Sequence, residues 1–141
     1  MEHRYQNAIT LLIDLVEQYE LHPFTMTIQS LERTFIDKVF ALYDYYIKSD
    51  FNKHSRHIYD LYMLMPKMTF DERFKQLVKE VRIERQKKPE MCPSSLDGVD
   101  INDMLEKIVE EAIYEKDYAA ITSYFQKTRV EYDKAIEAVK K

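Results

Sequence analysis

The sequence predicts a mostly α-helical fold, a compact bundle of about six helices with one short strand, in a single domain over residues 1–141. Three observations lead there. The chain holds one glycine and four prolines, too little turn material for an all-β fold. Apolar residues recur at steps of three and four along most of its length, the period of one helix face. At 141 residues a chain buries roughly two thirds of its unfolded surface, enough for a core without covalent staples.

The elements follow in order. Ile9, Leu12, Ile13, Val16 and Tyr19 mark an amphipathic helix over residues 3–20 that stops before His22-Pro23, because proline disfavours helix at the preceding residue. Phe24 to Gln29 alternates apolar and polar with period two, a strand pattern. A strand without a second one nearby has no ladder, so this segment is expected to pair outside the bundle. Ser30 caps a helix from Leu31 to about Lys48, and the polar break Ser49 to Asn52 turns it into a third helix ending at Pro66. Thr69 to Glu72 reads as a capping box ahead of a helix that runs to about Lys88. Pro89 to Val99 is the one long loop. Asp100 caps the next helix, Tyr118, Ile121 and Phe125 continue as a short one, and Thr128 to Glu131 reads as a second capping box before the last.

Charge narrows the function classes. A net charge of −4 gives no global pull toward nucleic acid, but its sign is uneven. Lys75, Lys79, Arg82, Arg85, Lys87 and Lys88 form a basic run, and Asp100, Asp103, Glu106, Glu110, Glu111, Glu115 and Asp117 an acidic one. They are expected as solvated faces that attract each other, with RNA binding on the basic face as the weaker alternative. No stretch approaches the roughly 18 apolar residues of a membrane span. The single cysteine, Cys92, cannot form an intramolecular disulfide and is expected to be a packing or surface thiol, so the cytoplasm is the simplest address.

The chemically pointed feature is the hairpin of the second and third helices. In an antiparallel pair turning near residue 50, level positions add to about 100. Lys38 with Asp60, and Asp44 with Arg56, both satisfy this, and Arg56 and Asp60 are neighbours on one helix face. A lysine kept charged by a carboxylate can hold a triphosphate; the alternative is a structural ion pair. His54, His57 and Asp60 recur at steps of three, but such steps drift about 60° each around a helix, which favours surface histidines over a metal site. Asp97, Asp100 and Asp103 around Gly98 miss the calcium-loop spacing and read as a turn and a cap. One glycine excludes the phosphate-binding loop, dinucleotide and nucleophile-elbow motifs. Asp-x-Asp occurs nowhere, so no self-sufficient two-metal site is visible.

The run from Ser30 to Leu42, Ser-Leu-Glu-Arg-Thr-Phe-Ile-Asp-Lys-Val-Phe-Ala-Leu, followed by Ser55-Arg56-His57-Ile58-Tyr59-Asp60-Leu61-Tyr62, resembles the C-terminal helical half of the AbiEii/AbiGii nucleotidyltransferase toxins. Cys92-Pro93-Ser94 with Asp97-Gly98-Val99-Asp100 resembles the same branch. These toxins belong to bacterial type IV toxin-antitoxin and phage-defence loci. The resemblance implies that Lys38 holds nucleotide phosphates, that Asp60 lies in the active site, and that Arg56 matches the basic residue before it. It implies nucleotide transfer from an NTP, with Mg²⁺, to an acceptor that is RNA in some members, and a cognate antitoxin. The family's N-terminal lobe carries Gly-Ser and Asp-x-Asp on a sheet, and both are missing from this sequence. The expectation is therefore a helical lobe that is inactive alone and completed by an N-terminal lobe in trans, a truncated or split enzyme. The alternative is a non-catalytic module that forms a homodimer or binds a partner protein.

Overall fold

The computed structural model describes the backbone of residues 2–20, 25–126 and 128–140, and the side chains within those spans from residue 9 onward. Seven helices follow one another: α1 (Glu2–Gln18), α2 (Leu31–Ile47), α3 (Arg56–Leu64, extended by the 3₁₀ turn Met65–Lys67), α4 (Glu72–Gln86), α5 (Ile101–Glu110), α6 and α7 (Tyr132–Val139). Helix α6 is segmented, running from Glu115–Asp117 through the wider π-type turn Tyr118–Thr122 to Ser123–Phe125. A second 3₁₀ turn, Pro93–Ser95, interrupts the long loop. The helical class predicted from composition and periodicity is the one found.

Helix α2 is central because it is apolar on more than one side. Leu42 and Tyr43 point into a core with Ile58 and Leu61 of α3, Ile108 of α5, Tyr114, and Ala135 of α7. Ile36 and Phe40, on another face, close a smaller cluster with Val81 of α4. Buried hydroxyls tie the frame. Tyr114 donates to the Leu42 carbonyl at 3.1 Å and Tyr118 to the Val130 carbonyl at 2.9 Å. Burial first, together with nearby carboxylates and tyrosines, raises the Tyr114 phenol above its ordinary range.

Several local expectations are corrected. Thr25–Ser30 is fully exposed and takes no regular structure, and Phe24 lies outside the described residues. Alternation favours a strand only when a neighbouring strand completes its ladder, and among the described residues there is none. Helix α1 forms, yet of its described apolar side chains Ile9, Leu11, Leu12, Ile13 and Leu15 stay exposed, and Val16 is half-buried. Ser30 and Asp100 cap α2 and α5 as predicted, through the Arg33 N–H and through those of Asn102 and Asp103. Asp71, not Thr69, caps α4. Helix α7 starts at Glu131 without a side-chain cap, the Glu131 carboxylate being engaged by Arg129.

Candidate functional site

The hairpin between α2 and α3 turns tightly, and Ser49 and Lys53 adopt left-handed backbone conformations (φ 54° and 66°). Such conformations cost about 1 kcal/mol each for residues with a Cβ, so something must hold them. Asp117 of α6 does. Its carboxylate accepts from the Lys53 N–H at 2.7 Å and the Ser55 N–H at 3.1 Å. The Ser55 hydroxyl meets Thr122 at 2.7 Å in the interior. Ser55 gives no cap of its own to α3, so the helix start that aims Arg56, His57 and Asp60 is pinned from sixty residues away. Burial pushes the Asp117 carboxyl up, but the hydrogen bonds from Ser55 and Lys53 outweigh it and leave the carboxyl below its ordinary value.

From this anchored start, Asp60 reaches back across the hairpin. The Lys38 ammonium donates to Asp60 Oδ2 at 2.6 Å, with both side chains about a quarter to a third exposed (24% and 34%). The antiparallel register thus brings together the first pair read from the sequence. It does not bring together the second. Asp44 is six residues beyond Lys38, which places it about 120° around the helix. Its carboxylate is buried on the opposite side, accepting from Arg85 at 2.7 Å and from the Ser94 N–H and hydroxyl at 2.9 and 2.6 Å. Arg56 is exposed and, among the described residues, makes no ion pair.

His57 is the site residue that the sequence reading missed. Expected on the surface, it is buried (9% exposed), one turn before Asp60, and its Nδ1 has no hydrogen-bond partner among the described residues. Burial first, then the cations of Lys38 and Arg56, lower its pKa to about 4, so it is neutral at pH 7. Tyr45 lies parallel to it at 5.8 Å and is stacked at 3.5 Å on His54. Tyr45 follows Lys38 by seven residues, two turns along the same face; that spacing was the available signal. The strip therefore presents two cations, one carboxylate and an aromatic floor of stacked rings. This arrangement suits a phosphorylated ligand with a planar group.

Divalent metal fits less well. Near Lys38 the donor set is Asp60, one of whose oxygens is already taken by the ammonium. Among the described residues no group of three or more His, Cys, Asp or Glu side chains is arranged to hold a metal ion. The Mg²⁺ implied by the resemblance therefore has no cage in the described part of this chain.

Among the described residues no ion pair joins the two charged runs. Arg82 donates to the Ser95 and Leu96 carbonyls, and Arg85 to Asp37 and Asp44. Lys107 pairs with Asp103 inside the acidic run. The basic face is thus partly spent on holding the 89–99 loop, which weakens it as an RNA surface. Cys92 is half-buried in that loop. Among the described residues no helix is long and apolar enough to cross a membrane.

No curated protein and no solved structure matches the chain. A family model does, described as "Nucleotidyl transferase AbiEii toxin, Type IV TA system" and matching residues 5–138. Membership implies a cognate antitoxin as partner. With that match over nearly the whole length, the chain belongs to the AbiEii nucleotidyltransferase toxin family.

Proposed function

We propose that this chain is the helical lobe of a cytoplasmic two-lobe nucleotidyltransferase, binding the phosphates of an NTP and depending on a metal-binding lobe outside these residues. The single observation that carries this is the Lys38–Asp60 contact at 2.6 Å, on a half-open strip flanked by exposed Arg56. In the reaction an acceptor oxygen, on RNA or another acceptor, bonds to the α-phosphorus of the NTP. The bond to the bridging oxygen breaks and pyrophosphate leaves. Lys38 and Arg56 supply positive charge to the phosphate oxygens, and preorganised charge of this kind is the main protein contribution to phosphoryl-group chemistry. Asp60 holds the Lys38 ammonium in place. Mg²⁺ would supply Lewis-acid stabilisation from the other lobe, since the Gly-Ser and Asp-x-Asp segment that would bind it is not in this sequence.

The test uses purified chain, radiolabelled NTPs and an RNA pool. No label transfer is expected from the chain alone, and transfer is expected when a lobe bearing Asp-x-Asp is added. Lys38→Ala or Asp60→Ala should abolish the restored transfer while the helical circular dichroism spectrum is unchanged. Transfer by the isolated chain, or restored transfer indifferent to Lys38, would overturn the reading.

A further inference from the structure

Among the described residues neither nitrogen of the His57 ring has a hydrogen-bond partner, although the residue is only 9% exposed. A buried polar atom left unpaired costs free energy, so folded proteins keep few of them, and those that persist call for an explanation, a bound ligand among them. The two nitrogens differ. Nδ1 is sealed in the interior, whereas Nε2 is not enclosed in this way. A neutral imidazole carries a single N–H. An interior N–H without an acceptor is rarer than an interior acceptor without a donor, which leaves the proton on Nε2, the nitrogen that a ligand can reach. Neighbouring rings hold the imidazole in one plane. Tyr45 lies nearly parallel to it at 5.8 Å and His54 at 6.3 Å. Because Tyr45 and His54 are themselves stacked at 3.5 Å, these distances set His57 beside Tyr45 rather than beneath it.

We propose that His57 contacts the ligand directly, its Nε2–H donating to a phosphate oxygen of a nucleotide held by Lys38 and Arg56. This rests on the nucleotide-binding reading of the hairpin and adds a residue that reading does not use. The charged and titratable groups facing the ring are Lys38 of α2, Arg56 and Asp60 of α3, and His54 of the turn before it. Asp60, the one carboxylate among them, already accepts from Lys38, so what this end of the hairpin lacks is an acceptor. A phosphate lying on both cations supplies one. Arg56 directly precedes His57, and Lys38 is near enough to act on the ring's basicity, so an anion touching both also comes within reach of Nε2. An uncharged ring suits this task. Imidazolium here would add a third cation and put a proton on Nδ1, where nothing among the described residues accepts it. Neutral His57 donates at Nε2 alone, and that donor persists through the pH range in which an ordinary histidine loses its charge.

The experiment is ¹⁵N NMR of the histidine rings in the full chain at pH 7, titrated with a non-hydrolysable NTP analogue and, separately, with inorganic tripolyphosphate. The free protein should show His57 with its proton on Nε2, and both ligands should move the Nε2 resonance while Nδ1 stays bare. Two variants add a second readout. His57→Phe leaves no nitrogen unpaired, so at pH 7 it should fold at least as stably as the wild type yet bind the analogue about tenfold or more weakly, the worth of a hydrogen bond to a charged group. His57→Gln keeps an amide N–H at similar reach and should retain most of the affinity, a rescue that a merely structural histidine would not show. A proton on Nδ1, an Nε2 resonance that the bound analogue leaves unmoved, or His57→Phe binding as tightly as the wild type would overturn the proposal while leaving nucleotide binding at Lys38 intact. A response to the analogue but not to tripolyphosphate would put the contact on the nucleoside and overturn it too. Failure of the wild type to bind either ligand would refute the nucleotide-binding reading itself, and this proposal with it.

Discussion

Lys38 and Asp60 meet across the α2–α3 hairpin with Nζ 2.6 Å from Oδ2, both partly open to solvent. An ion pair this exposed stabilises a fold by only about 0–1 kcal/mol. Lys38→Met and Asp60→Asn should therefore change the urea midpoint little while removing NTP binding, measured by fluorescence anisotropy of a labelled nucleotide. A loss of several kcal/mol in folding stability would identify the pair as structural instead.

Asp44 and Arg85 should behave oppositely. Asp44 is 3% exposed and joins α2 to α4 and to the Ser94 turn. Asp44→Ala leaves the half-buried Arg85 charge without its closest acceptor and Ser94 without its partner. It should cost about 3–5 kcal/mol in urea unfolding. Replacing both Asp44 and Arg85 with apolar residues should cost less than the single change.

His57 makes stability depend on pH. Its folded pKa of about 4 lies below the unfolded value, near 6.5. Between those values the unfolded chain binds a proton that the folded chain refuses, so stability falls as pH drops from about 6.5 to about 4 and is full above that window. The expected loss is on the order of 3 kcal/mol. It should shrink markedly in His57→Gln when unfolding free energies are compared at pH 7 and pH 4.5.

Asp117 is a remote cap for α3. Asp117→Ala removes acceptors from the Lys53 and Ser55 N–H groups and should cost about 1–2 kcal/mol, the range of a lost helix cap. Because α3 carries Asp60, hydrogen exchange should rise at the α3 start, and NTP affinity should fall along with it.

Helix periods were legible because they depend on local backbone geometry: every long helix was predicted within a few residues of its observed ends, and Ser30 and Asp100 were recognised as caps by residue type alone. The Lys38–Asp60 contact was legible too, because a short antiparallel connection fixes which positions are level. The family resemblance rested on contiguous residues, Ser30 to Leu42 and Ser55 to Tyr62, and needed no tertiary information.

Rotation and burial were not legible. Asp44 satisfied the same level-position rule as Lys38, but its side of α2 depends on how α4 and the Pro93–Ser95 turn pack there. His57 looked like a surface histidine until α2 covered it and desolvation set its charge. The apolar face of α1 was plain in the sequence, but its exposure from Ile9 to Leu15 among the described residues was not, since periodicity marks a face to be buried without saying by what. The sequence by itself determined the helices, the caps of α2 and α5 and the register of the hairpin, all of which rest on interactions within a few residues. The tertiary structure alone decided which charges are buried, which imidazole is neutral and which apolar surface remains open, because each depends on elements distant in the chain.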